Sequence, residues 1–148
     1  MTTERVDCVV DASIAIKLFI AQEDSDIAEL LFLRLFTLPK ACFAVPSLFY
    51  VECANVFWKY VRQAGLPSDQ AQVNLQRLKA LDLQVYPLTD LVEQALEVAM
   101  AYSISVYDAC YVVLSQWLQC PLVTADRRLI KAMTNTSYSV VILTEFLR

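Results

Sequence analysis

Four acidic residues stand where this chain is otherwise almost wholly apolar. Asp11 lies in Val9-Val10-Asp11-Ala12-Ser13, Glu52 in Tyr50-Val51-Glu52-Cys53-Ala54, Asp108 in Val106-Tyr107-Asp108-Ala109-Cys110, and Asp126 in Val123-Thr124-Ala125-Asp126. An ionised carboxylate among core residues costs several kcal/mol unless it is paired or binds a metal. Four of them, spread from one end of the chain to the other, imply that folding gathers them into one acidic, cation-binding site. Two carboxylates about 4 Å apart repel by roughly 4 kcal/mol at an effective dielectric near 20, so the cluster needs cations to stay ionised. An all-oxygen set in a chain without histidine favours hard ions, Mg²⁺ or Mn²⁺. Such ions suit phosphoryl chemistry: they activate a water and stabilise charge on the leaving oxygen. The charge balance agrees. Without these four, the 16 acidic residues fall to 12, equal to the 12 basic ones, so the site carries the whole formal charge of −4.

Each acid also has an ordinary explanation. Asp11 can end a strand in an Asx turn, and Asp126 can cap the helix that follows it. Asp108 closes a capping box with Ser105. Glu52 resists such a reading, because Leu48, Phe49, Tyr50, Val51, Cys53 and Ala54 leave its helix segment no polar face. Those explanations are independent of one another, whereas one site accounts for all four positions. Ser13, Asn55 and Thr124 lie close by in sequence and have the chemistry to orient carboxylates or water. Lys17, Lys59, Arg62, Arg127, Arg128 and Lys131 read as solvated surface. Of these, Arg127 and Arg128 are expected near the acids, with Lys59 and Arg62 farther down their helix.

The absences narrow the chemistry. A single glycine, Gly65, leaves no room for a P-loop or a GxGxxG dinucleotide loop. With no histidine there is no Ser-His-Asp or Cys-His catalysis and no usual neutral-pH proton shuttle. Five cysteines, odd in number and without a CxxC pair, read as buried hydrophobes in a reduced cytosol. Arg34, Glu52, Lys59 and Asp108 keep every apolar run short of the roughly 18 residues a membrane span needs. Glu4, Asp7, Asp11 and Lys17 interrupt any signal-peptide core. At 148 residues and 57% hydrophobic, the chain is expected to form one domain, 1–148, with apolar surface to spare.

Positioning the acids requires alternating strands and helices. Strands are expected at Cys8–Val10, Cys42–Val45, Gln84–Tyr86, Leu122–Thr124 and Val140–Leu143. Helices are expected at Ser13–Phe19, Asp26–Phe36, Leu48–Ala64, Asp69–Ala80, Leu91–Tyr102, Val106–Leu118 and Arg127–Met133. Ser25, Ser47, Ser68 and Asp90 serve as start signals, and Gly65 with Pro67 as a stop. Continuous apolar strands indicate a parallel sheet covered on both faces: a three-layer α/β/α sandwich around four or five mainly parallel strands. In such a sheet strands end and helices begin on one carboxyl edge, and all four acids map there.

The ordered set Asp11-Ala-Ser13, Glu52-x-x-Asn55, Val-Tyr-Asp108-Ala and Thr124-Ala-Asp126-Arg-Arg resembles the four motifs of PIN-domain ribonucleases, in particular the VapC-type toxins of toxin–antitoxin pairs. The resemblance runs from Asp7 to Leu143. It implies that Asp11, Glu52, Asp108 and Asp126 are Mg²⁺ (or Mn²⁺) ligands, that Ser13 and Thr124 support them, and that Asn55 helps position the site. It implies metal-dependent endonucleolytic cleavage of RNA, a homodimer, and a small antitoxin whose helix brings an Arg or Lys toward the acids. Water attack at phosphorus should leave a 5′-phosphate and a 3′-hydroxyl. A sequence pI near 4.7 requires the RNA footprint to be local.

Two other classes fit parts of the pattern. A phosphotransferase with a nucleophilic aspartate would want a second acid where this chain has Ser13. A catalytically silent module that binds nucleic acid or protein has no need to hold four buried charges. The apolar helices Asp26–Phe36 and Leu48–Ala64 carry more large side chains than one face can bury, which points to an oligomer and a protein partner.

Overall fold

The computed structural model describes residues 5–147; Glu4 and the outer ends of the expected domain, 1–4 and 148, lie outside the described residues. Five short strands form one sheet: β1 (Cys8–Val10), β2 (Phe43–Pro46), β3 (Gln84–Tyr86), β4 (Leu122–Thr124) and β5 (Val140–Ile142). Their order is β3-β2-β1-β4-β5 and every neighbouring pair is parallel. Between them run α1 (Ala12–Ile16), α2 (Ser25–Thr37), α3 (Phe49–Ala64), α4 (Ser68–Lys79), α5 (Val92–Tyr102), α6 (Val106–Trp117), α7 (Arg127–Met133) and α8 (Leu143–Phe146). Parallel strands need crossover connections, and covering both faces with helices gives the three-layer sandwich. β1, β2 and β4 are wholly buried, as continuous apolar runs demand, while β3 and β5 form the more exposed edges.

The core is one contiguous cluster centred on β1, β2, β4 and α6. α6 lies across β1, β2 and β4 and buries seven consecutive residues, Ala109–Ser115. It thereby fixes the depth of Asp108 in its first turn. α3 packs on α1 and α4 and buries Phe49, Cys53 and Phe57. No single helix among the described residues is long and apolar enough to cross a membrane.

Several local expectations need correction. The helix expected over Ser13–Phe19 is regular only to Ile16. Lys17, Leu18 and Phe19 continue it with N–H bonds to the carbonyl three residues back, the tighter 3₁₀ pattern. The last strand stops at Ile142, and Leu143 opens α8, a single turn too short to leave a periodic signal. Ser25, Ser47, Ser68 and Asp90 do not cap: the residues at the helix starts are Asp24, Leu48, Pro67 and Leu91, none with a side-chain cap bond. Ser25 Oγ instead accepts from Gln22 N–H at 2.9 Å. The expected stop at Gly65 is present, with φ of 72° closing α3 onto the Tyr60 carbonyl.

Candidate active site

The strand order places a winding reversal between β1 and β4. Connections leave β1 toward β2 and β3, then return across the sheet to β4 and β5. The helices on the two sides of such a reversal part, and the crevice at the carboxyl ends of the two strands is where open α/β sheets bind ligands. Asp11 follows β1 directly and Asp126 follows β4 by one residue. Glu52 enters from the first turn of α3 and Asp108 from the first turn of α6. All four line one cleft of about 640 Å³, together with Ser13 and Asn55.

Asp11 is the most fixed of the four. It is 6% exposed, and its Oδ2 accepts from Ser13 Oγ at 2.8 Å and Thr124 Oγ1 at 2.7 Å. Those hydroxyls in turn accept backbone N–H groups from the loop after β4: Ala125 to Ser13 at 3.1 Å and Asp126 to Thr124 at 3.0 Å. Two strand ends are thus laced through one carboxylate oxygen. Asp126 Oδ1 accepts from the backbone of Arg128 at 2.9 Å and Leu129 at 3.3 Å, so the residue caps α7 and lines the cleft at once. At Asp108 the capping-box donor is made, its N–H reaching Ser105 Oγ at 3.0 Å. Asn55 sits one turn beyond Glu52, exposed at the cleft wall. Thr124 is fully buried beneath it.

The acids perturb one another. Burial raises the carboxyl of Asp11 above its ordinary value; the Thr124 and Ser13 hydroxyls oppose this and Asp126 adds to it. Burial pushes Glu52 up to about 7, with Asp11 and Asp108 reinforcing the shift and the Tyr111 hydroxyl opposing it. Asp108 is raised by burial and by Asp11, less by Asp126, while the Ser105 hydroxyl opposes the shift. Glu52 Oε1 is buried with no hydrogen-bond partner.

That orphaned oxygen and the all-oxygen donor set fit a hard divalent ion. Among the described residues, however, no three acidic or cysteine side chains already stand close enough to form a metal-binding group. Mutual repulsion holds ionised carboxylates apart, and Mg²⁺ keeps several waters and needs only one or two direct carboxylates. The cleft therefore suits a partly hydrated ion better than an all-protein cage.

The basic residues are arranged otherwise than expected. Lys17 and Lys59 line the cleft, with Gln22 and Tyr60; Arg127, Arg128 and Arg62 do not. Arg127 and Arg128 are exposed, and the guanidinium of Arg62 lies 5.2 Å over the Trp58 ring. Lys59 follows Glu52 by two helical turns, a spacing that would have put it on the same face. Lys17 Nζ donates to the Glu23 carbonyl at 2.6 Å, and Gln22 Nε2 donates to Tyr60 Oη at 2.9 Å, tying the α1–α2 loop to α3. Sequence reasoning also passed over Tyr111, fully buried on α6 and near Asp11 and Glu52; its signal was a phenol inside the run Ala109-Cys110-Tyr111-Val112-Val113.

Comparison with known proteins supplies independent findings. A model of the PIN domain matches residues 8–134. Over 125 residues the chain is 34% identical to Ribonuclease VapC3 of Pyrobaculum aerophilum, covering 82% of this chain and 90% of the relative. The crystal structure of PAE2754 from the same organism superposes with a TM-score of 0.72 at 23% identity, over all of this chain and 97% of that one. A toxin–antitoxin complex from Klebsiella pneumoniae has a TM-score of 0.65 at 18% identity, over 93% of this chain and 98% of that one.

Proposed function

The chain belongs to the PIN-domain family, and from that premise we propose that it is a single-domain, metal-dependent endoribonuclease of the cytoplasm, the toxin of a toxin–antitoxin pair. The observation that carries this reading is the cleft: four carboxylates from four separate elements at the winding reversal of a parallel sheet. The ribonuclease name of a relative 34% identical supports RNA as the substrate, and five buried cysteines are consistent with a reducing compartment.

Asp11, Glu52, Asp108 and Asp126 would hold Mg²⁺ or Mn²⁺, which when bound supplies a Lewis acid that activates water and offsets charge at phosphorus. The protein's own part is positional. Ser13 and Thr124 donate to Asp11 Oδ2 and leave its other oxygen for the ion. Asp126 is oriented by the amino terminus of α7. Asn55 offers an amide at the cleft wall to water or RNA. Lys17 and Lys59, which line the same cleft, would take phosphates of the strand next to the one cleaved. Basic side chains beside the acids would give the local footprint that an overall pI near 4.7 requires. The partner is a small cationic antitoxin, a reading the fold of a protein solved in a toxin–antitoxin complex supports, and the working form is a homodimer.

The test is cleavage of single-stranded RNA by purified protein with Mg²⁺ or Mn²⁺, with and without EDTA. Cleavage that requires the ion and leaves a 5′-phosphate supports the proposal. Cleavage that persists in excess EDTA overturns the mechanism. Ion binding without cleavage of any RNA would favour the silent binding module.

A further inference from the structure

Tyr111 occupies a place that a phenylalanine would fill at lower cost. It is among the largest fully buried side chains, on a helix whose residues Ala109–Ser115 are all buried. Its hydroxyl has no hydrogen-bond partner. A buried phenol left unpaired is destabilising, so the oxygen needs a reason to be there. Only three buried side-chain polar atoms among the described residues lack a partner: Tyr111 Oη, Glu52 Oε1 and Asn74 Nδ2. Two of the three belong to one locality. Tyr111 lies one helical turn after Asp108, and the carboxylates of Asp11 and Glu52 both act on its phenol. The phenol already acts on the Glu52 carboxyl as a donor would, yet neither Tyr111 Oη nor Glu52 Oε1 makes a full hydrogen bond.

We propose that Tyr111 is a positioning residue for the metal site, its hydroxyl donating to the Glu52 carboxylate when the ion is bound and so fixing which oxygen of Glu52 faces the cleft. The inference rests on the metal reading above. A phenol is protonated throughout the range in which the protein would work, so it is available as a donor. Without an ion that contact stays short of a full hydrogen bond. Drawing Glu52 toward a cation brings its second oxygen into a fixed relation to the phenol. Partners one step behind a ligand commonly set its orientation in this way.

Tyr111→Phe removes the donor and keeps the ring. Its Mn²⁺ affinity, measured by titration calorimetry on the whole chain, is expected to fall roughly 10–100-fold. Its Tm in EDTA is expected to equal or exceed that of the unaltered protein, because an unpaired buried hydroxyl has gone. A variant that binds Mn²⁺ within twofold of the unaltered protein overturns the inference and leaves the metal reading standing. Unaltered protein that takes up no Mn²⁺ overturns both, so the two failures are distinguishable. Should the variant not fold, tyrosine-selective ¹³C labelling of the unaltered protein decides: the resonance of a buried ring that moves as Mg²⁺ is added supports the role, and buried-ring signals that all stay fixed overturn it.

Discussion

Asp11 shows how a single carboxylate can be both buried and retained. Its Oδ2 takes two hydroxyl donors, and each hydroxyl is itself fixed by a backbone N–H from the loop after β4. Asparagine at this position can accept the same two bonds through its amide oxygen, so Asp11→Asn removes charge with little change of shape. Cleavage is expected to drop by roughly 10²-fold or more, and Asp126→Asn should behave alike. In EDTA the Asp11 variant should gain about 1 kcal/mol, roughly 2–4 °C in Tm, because a buried repelled charge is gone. Thermal melts and RNA cleavage on one preparation check both parts. Glu52 gives the pH dependence. Its folded value near 7 lies above its ordinary 4.5, so the folded state binds this proton more tightly than the unfolded one. The associated stability is fully present below about 4.5 and is lost as pH rises through about 7; Asp11 and Asp108 are shifted with the same sign. The Tm in EDTA should therefore fall from pH 5 to pH 8, and Glu52→Gln should flatten the slope. Mn²⁺ competes with those protons, so the Tm increment it produces should grow over the same interval. An EDTA profile that rises through pH 7 would contradict the burial of Glu52. At this scale the acids were legible because lone carboxylates in apolar runs are costly anywhere but a site. Lys17 and Lys59 were not, since an exposed lysine on a helix looks the same in sequence whether it faces bulk water or a cleft.

α3 shows the same contrast at the scale of an element. Its start, length and stop at Gly65 could be read from the apolar run and the lone glycine, and the helix fell within one residue of expectation. The three central strands were likewise visible as short apolar runs, because burial on two faces excludes polar residues, and the exposed edges β3 and β5 as short runs with β-branched residues. Capping was legible only in part: Asp126 caps α7 and Ser105 caps α6 as read, and the other starts do not follow. Ser25, Ser47 and Ser68 have the right chemistry, but tertiary packing set the helix starts one residue away from a usable cap geometry. The consequence for function lies along the length of α3. Glu52 and Lys59 are seven residues apart, about 10 Å along the axis at a rise of ~1.5 Å per residue. That is far enough for the lysine to meet a neighbouring phosphate while the carboxylate serves the scissile one. Lys59→Ala should therefore raise KM for RNA roughly three- to tenfold, leave kcat unchanged, and lower the slope of log affinity against log salt by about 1. Mn²⁺ affinity should not change. A loss confined to kcat, with KM intact, would place Lys59 in the chemistry and not in binding.

The whole molecule leaves a surface that its own core does not cover. On α2, Leu30, Leu33 and Phe36 are 60%, 50% and 74% exposed, and on α3 Val51 and Trp58 are 72% and 54% exposed, although the buried faces of both helices are also apolar. Burying a leucine or phenylalanine fully is worth about 1.5–3 kcal/mol, so these side chains make association favourable once a matching surface is present. A groove of about 270 Å³ runs between α3 and α4, walled by Phe57, Trp58, Val61, Ala71 and Leu75. α2 packs on α8. On the proposed reading α2 would meet a second copy of the chain, and the α3–α4 groove would take a partner helix directed along α3 toward the acids. A cationic residue on that helix would meet a cleft whose four carboxylates account for the chain's formal charge of −4. Light scattering behind size exclusion at tens of micromolar should show a dimer, and Leu33→Glu with Phe36→Glu should return it to a monomer with the same Tm and Mn²⁺ affinity. Trp58→Glu should leave the dimer intact while weakening capture of a cationic amphipathic helix. A dimer that survives both α2 charges, or unaltered protein that is monomeric throughout this range, would remove α2 as the self-association surface and return its exposed leucines to the ordinary run of apolar surface residues.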